Sequence, residues 1–451
     1  LPDEPCLQLL DLLERDQLAG HDFPGSGLTI RALVAVLAAR QQTPPRLGNP
    51  RRCFFAVLEP FLIDEQLPRK WVGRIARTSL NHIWDWLCHD LAAAEMAAYQ
   101  AEVVTALLDR DVARAHEQAA QLQKALLPAI RRAVASHDEA VLHRFSVLVG
   151  GQAVLEDLRD MMTVMEHRET LRALGERIRG PIRQLDEEEA AFILEALVPF
   201  ARGDAMLLPY AVALVMGRLT HPWQILQVAV LAVESREALR LGQSSFRVVM
   251  ELLLCELERL VVRAQAERRG RRTARLALAA TDFAASVRAI VDHIAMGPEI
   301  GWMKRMGAAR SRMAQVLRPE LEELPGRVRR ILRAPWYREL DGGGAFDAGE
   351  FAAIEAGLDL LVIAKDHAAE LALNEATLRV ISRLAAFLEA SLRPLLDGLR
   401  GSVGDDRAFR LQQLEAAVRI ARRVLGAEYA TLLQKAVDVA AAEVRPLARA
   451  G

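Results

Sequence analysis

The densest run of reactive side chains lies at residues 81–90, Asn-His-Ile-Trp-Asp-Trp-Leu-Cys-His-Asp. On a helix, offsets of three, four and seven put His82, Asp85 and His89 on one face, a spacing that presents two imidazoles and a carboxylate to a single metal ion. The same spacing has a plainer reading, in which Asp85 and His89 make an ordinary polar contact one turn apart and Trp84 and Trp86 belong to a packed surface.

Within that run, Leu87-Cys88-His89-Asp90-Leu91 resembles the His-Asp step of the all-α phosphohydrolases that hold metals with a His…His-Asp…Asp set. The resemblance covers five residues of 451 and implies a metal-dependent helical hydrolase built on the His82–Asp90 cluster. The Gly and Lys that usually follow the step are Ala92 and Ala93 here, and His82 stands too near to act as the separate first ligand. His21-Asp22 and His137-Asp138 repeat the dipeptide without that context. Other site classes leave no signature: there is no His-Glu-x-x-His, no Gly-x-Ser-x-Gly and no Gly-x-x-x-x-Gly-Lys, and no histidine has Glu three residues before it. Pro24-Gly25-Ser26-Gly27-Leu28-Thr29 reads as a turn with an N-cap, and Asp341-Gly342-Gly343-Gly344 reads as a linker. No catalytic residues and no cofactor are expected.

Guanidinium groups supply a second kind of chemistry. Residues 263–338 carry 17 basic and seven acidic side chains, a net +10 in a chain whose formal charge is −1. Arg268, Arg269, Arg271, Arg272 and Arg275 open the cluster, Lys304 and Arg305 follow, and Arg329 and Arg330 stand near its end. Planar forks match carboxylates and phosphates, so this set is the candidate surface for an anionic partner. An acidic protein surface is the expected ligand, and nucleic acid or anionic lipid through the same stretch is the alternative. Nucleic-acid binding ordinarily adds aromatic side chains for stacking; the candidates are Trp302, Trp336 and Tyr337, with Trp302 reading as a core residue. The bland expectation is that these arginines are solvated or paired with the acidic flanking segments.

What must position these groups is a helical frame. Ala, Leu, Arg and Glu dominate almost every window, while aromatics make up 5%; that is helix-propensity chemistry. The expected fold is all-α, a multi-unit helical bundle or irregular α-solenoid-like array of antiparallel helices without significant β-sheet. No fixed-period repeat recurs. Helices are expected over Thr78–Leu108, Asp111–Ser136, Gln152–Arg177, Glu187–Ala201, Phe246–Gln265 and Ala348–Ala372. Apolar stripes at Leu378, Ile381, Leu384, Leu388, Leu392, Leu395 and Leu399, then Leu411–Leu425 and Tyr429–Ala440, add three more near the C-terminus. Glycines at 150–151 and 342–344 suggest three units: 1–150; 151–340, with an apolar hairpin at 205–233 and the basic stretch 263–338; and a four-helix-bundle-like 345–451.

Residues 205–233 are the most apolar window, with Arg218 as their sole formal charge. Pro209, Gly217 and His221-Pro222 cut it into arms well short of the roughly 20 residues that cross a bilayer, so a buried hairpin is expected and no transmembrane span. Cys6, Cys53, Cys88 and Cys255 lie 47, 35 and 167 residues apart, without a metal or disulfide framework. Residues Leu1–Arg15 lack the basic flank and apolar block of a secretory signal. A reducing, cytoplasmic location follows as the expectation. The excess of Arg over Lys, 53 against five, reads as a GC-rich, bacterial-type genome. The functional expectation is a non-enzymatic helical interaction module, whether scaffold, adaptor or regulator, with a protein partner and a homodimer left open.

Overall fold

Apolar side chains at three-to-four spacing dictate rods, and rods enclose the interior. The computed structural model describes residues 49–67, 69–109, 111–135, 139–203, 205–297, 301–333 and 346–443. Among them are eighteen α-helices and a single pair of two-residue strands, Leu62–Ile63 and Ile75–Ala76, which pair in parallel with Leu62 opposite Ile75. The glycine-rich segments at 24–29 and 341–344, His21-Asp22, His137-Asp138, Cys6, Trp336 and Tyr337 lie outside the described residues.

Backbone packing groups the described residues into two units, 49–59 with 78–166 and 60–77 with 167–443. The first contains α1 (Pro50–Phe55), α2 (Ser79–Trp86), α3 (Ala93–Leu108), α4 (Val112–Val134), α5 (Glu139–Leu148) and α6 (Gln152–Glu166). Asn49 caps α1 by accepting from the Arg52 amide at 2.7 Å, and Asp111 caps α4 through the Arg114 amide at 2.9 Å. These are the side-chain acceptors that satisfy orphan amides at helix starts. Phe54, Phe55, Met96, Tyr99, Val103, Leu126 and Ile130 fill the core.

The second unit runs through α7 (Arg168–Arg177), α8 (Glu187–Arg202), α9 (Leu208–Met216), α10 (Ile225–Val233), α11 (Ala238–Gln243), α12 (Arg247–Arg269), α13 (Thr273–His293) and α14 (Trp302–Leu332). It ends with α15 (Ala348–Asp366), α16 (Asn374–Arg400), α17 (Gly404–Val424) and α18 (Ala427–Ala442). Asp186 and Glu189 form a reciprocal capping box at the start of α8. The apolar arms α9 and α10 are core helices: Tyr210 to Met216, Ile225, Leu226, Val228 and Ala229 are buried, and both helices pack on α12. No single helix among the described residues is long and apolar enough to cross a membrane.

The four C-terminal helices form, with Leu384, Leu388, Leu392, Leu395 and Leu399 buried, but Leu378 at the head of the first expected stripe and Leu432 in the last are exposed, 68% and 66%. The division into three units at glycines is not the grouping found. α13 packs on α15, and α14 packs on both α15 and α16, so the helices on either side of residues 334–345 share one core.

Two expected long helices are each divided. The segment Thr78–Leu108 bends by 118° between Leu91 and Ala93. A π-helical turn at Leu87–Leu91 ends with the Ala92 amide donating to the Leu87 carbonyl, and Ala92 has φ −154° and ψ 52°. No Gly or Pro announces this bend; it lets Trp86 and Leu87 on one arm and Met96 on the other all be buried, and that burial outweighs local helix propensity. The segment Gln152–Arg177 breaks at His167, where the unit boundary falls. Likewise α15 stops at Asp366 rather than Ala372: His367 leaves the helical conformation at φ −119° and ψ 28°, and a further turn closes at Ala372 with φ +55°.

Candidate functional site

The basic stretch is built from the C-terminal end of α12, all of α13 and α14. α12 ends in a Schellman turn, with the Arg272 amide donating to the Glu267 carbonyl and the Arg271 amide to the Arg268 carbonyl. Gly270 sits one residue early for that motif, so Arg271 occupies the left-handed position at φ +54° that glycine ordinarily fills. Glycine at 270 has a separate use: an added Cβ would lie 3.2 Å from the Arg272 guanidinium, which folds back over it to pair with Glu267.

Gln265, Arg268 and Arg269 therefore share one face at the end of α12, and Arg312, Gln315, Val316, Glu320 and Glu323 recur along one face of α14. Together with Arg271 they line an open cleft of about 570 Å³. Arg268 pairs with Glu320 at 3.2 Å, and Arg312 reaches Glu258 at 3.6 Å. Arg269 and Arg271 are exposed and have no carboxylate partner among the described residues. The cleft thus offers two uncommitted guanidinium forks beside two that are already held.

Of the expected anion-binding set, the cleft gathers Arg268, Arg269 and Arg271. Arg272 is committed to Glu267 next to it, and Arg275 stands exposed on α13 with an interaction of its own. The remaining members lie elsewhere on α14. Lys304 is exposed near its start. Arg305 pairs with Glu251 at 2.6 Å, beside Trp302, whose Nε1 donates to the same carboxylate at 3.0 Å. Trp302 is 2% exposed, a core side chain. Arg329 lies over the Phe387 ring at 5.7 Å, and Arg330 pairs with Glu350 at 3.1 Å.

Much of the stretch's positive charge is thus answered by acids from outside it, Glu251, Glu258, Glu350 and Glu370. Arg312 belongs to the same basic cluster and joins the site, although it stands outside the set expected to bind the anion; the glutamine and glutamates on its stripe were not expected there. The position of Arg312 three, four, eight and eleven residues before Gln315, Val316, Glu320 and Glu323 was the signal available, since those offsets mark one helical stripe.

The proposed metal set does not assemble. Among the described residues no group of three His, Cys, Asp or Glu side chains is placed to hold an ion. His82 and Asp85 ride on α2, but His89 falls in the wider π turn and leaves the helical register that the spacing assumed. His82 instead rests on Gly150, where an added Cβ would come within 2.8 Å of its ring. Cys88 accepts from Gln100 Nε2 at 3.6 Å, and burial with the Asp85 charge still pushes its thiol up.

Compared with known proteins, the chain matches no family model, no curated protein and no solved structure. The cleft is accordingly read from its own groups. Guanidinium forks, carboxylates and amides over a valine are a set suited to recognising another charged surface by paired hydrogen bonds.

Proposed function

We propose that this chain is a non-enzymatic helical interaction module, a scaffold, adaptor or regulator, that docks an acidic protein partner through the cleft between the end of α12 and α14. The observation that carries the reading is the pair of exposed, uncommitted arginines, Arg269 and Arg271, set beside Arg268 and Arg312 in one cleft. Ion pairs in the open gain little, but a carboxylate seated between several forks in a concave site is held by charge-assisted hydrogen bonds of fixed geometry. Free Cys53, Cys88 and Cys255 suit a reducing compartment such as the cytoplasm.

The test is co-purification of the full chain from its native cell, with Arg269→Glu/Arg271→Glu as the comparison. Partners held through the cleft are lost from the double variant and are eluted by salt from the parent. An unchanged, salt-insensitive set of partners rejects the reading. A scaffold also shows no stabilisation by small metabolites, whereas an enzyme is stabilised by its ligand through linkage.

A further inference from the structure

The cleft's lining is not uniformly basic, and its asymmetry selects among anions. Arg268, Arg269, Arg271 and Arg312 form one set, while Gln265, Gln315, Glu320 and Glu323 supply oxygen acceptors and amides. Glu323 is exposed and has no ion partner among the described residues. The negative pole of α12 also ends at the cleft, since its last carbonyls lie at Arg268 and Arg269.

A dense phosphodiester chain brings closely spaced charge that Glu323 and the helix end oppose, and among the described residues the lining has no aromatic ring on which bases could stack. A peptide brings carboxylates at intervals together with backbone N–H donors. It is the class of anion that can satisfy both sets of lining groups at once.

Arg271 reaches the lining at a backbone cost. Its left-handed backbone costs an arginine energy that glycine would not lose, so the fold alone favours glycine at this position. What the arginine adds is a guanidinium in the lining.

We infer that the cleft binds an extended acidic peptide segment, two of whose carboxylates seat on Arg269 and Arg271 while its backbone amides donate to Glu323 and to Gln315, about two turns earlier on α14. This rests on the docking reading above and names the chemistry of the docked partner.

The experiment titrates the full chain with a short fluorescein-labelled peptide of alternating Glu and Gly, whose carboxylates are separated by uncharged residues. In parallel it uses a single-stranded oligodeoxythymidylate of matched charge and phosphatidylserine vesicles. The peptide is expected to bind tightest, and Arg269→Ala and Arg271→Ala are each expected to weaken it about tenfold, the loss of one charge-assisted bond. Arg271→Gly separates binding from folding: it is expected to weaken peptide binding while the melting temperature holds or rises by about 1–2 °C.

Glu323→Ala decides the peptide geometry. It weakens binding if Glu323 accepts from the peptide backbone. Tighter binding on removing that negative charge, as for unspecific attraction of a polyanion, overturns the inference. Preferential binding of the oligonucleotide or the vesicles, dependent on Arg269 and Arg271, also overturns it while leaving an anion-docking cleft. Absence of binding by all three probes overturns the docking reading itself.

Discussion

Arg259 grips Glu256 one turn before it through two parallel hydrogen bonds, Nε to Oε2 at 2.8 Å and Nη2 to Oε1 at 2.6 Å, while its Nη1 reaches Glu65 at 2.9 Å. Glu256 is 8% exposed. Burial by itself would raise its carboxyl, but the Arg259 fork and the charges of Arg74 and Arg263 outweigh it and hold the group below its ordinary range. A carboxylate depressed in the folded state contributes stability that is complete above its unfolded value near 4.5 and is lost as pH falls through the folded value. Glu251, held down by Arg305 and Trp302 against the opposing effect of burial, behaves in the same way. Urea unfolding of the second unit should therefore change little on this account from neutral pH down to about pH 5 and shift to lower denaturant as the pH falls below about 4.5. Glu256→Gln should cost about 3–5 kcal/mol at neutral pH and flatten part of that acid dependence. An unchanged pH profile in the Gln variant removes Glu256 from the account.

Trp71 lies against two guanidiniums, Arg69 at 3.9 Å and Arg305 at 4.6 Å from the ring centroid, and donates from Nε1 to Glu258 at 3.1 Å. Trp71→Phe keeps a ring for the cations and deletes the donor. The expected cost is about 1–3 kcal/mol, the loss of a hydrogen bond to a buried carboxylate. Trp71→Leu should cost more, since each cation–π contact is worth about 0.5–2 kcal/mol. Equal stability of the two variants in equilibrium unfolding would mean that the ring faces contribute nothing.

Gly150 and Gly151 both have left-handed backbones, at φ +104° and +120°, yet they differ in surroundings. A Cβ at 150 would strike the His82 ring, whereas nothing lies within 4 Å of one at 151. Gly151→Ala should cost only the backbone penalty, about 1–3 kcal/mol. Gly150→Ala should cost more, and His82→Ala should relieve the excess in the double variant. The cycle is read by thermal unfolding of the full chain, and zero coupling would show that the His82 contact is unimportant.

Cys255 is 1% exposed, and burial pushes its thiol up to about 12, with Arg74 opposing and Glu256 and Glu258 reinforcing. Alkylation depends on the thiolate. Peptide mapping after native labelling at mildly alkaline pH should find Cys255 unmodified and half-buried Cys88 modified before buried Cys53. Rapid native labelling of Cys255 would contradict the packing around α12.

Which parts of this structure were legible in the residues follows from range. The stripe from Leu378 to Leu399 is local and periodic, so the helix was readable, and its buried face was readable from Leu384 onward; Leu378 is exposed because no neighbouring helix among the described residues covers it. The bend at Ala92 has no local cause in Gly or Pro and answers to the burial of Trp86, Leu87 and Met96. The arginine-rich stretch was visible as a charge imbalance. Its partition was not, because Glu251, Glu258 and Glu350 reach it from other helices. Sequence distance hides such partners, and only the facing stripe on α14 could have hinted that Arg312 joins Arg268, Arg269 and Arg271.

The strap formed by residues 60–77 belongs to the second unit although it is flanked on both sides by segments of the first. Trp71 meets Glu258 across 187 residues, and Glu65 meets Arg259 across 194. A truncated clone beginning at His167 would be born with a gap under α12 and two arginines, Arg259 and Arg305, deprived of neighbours. On the ribosome the strap emerges early and must wait, undocked, until α12 and α14 have been synthesised, so maturation of the second unit is a late event in translation. Supplying a strap peptide in trans to the truncated clone would then be a route to reconstituting it.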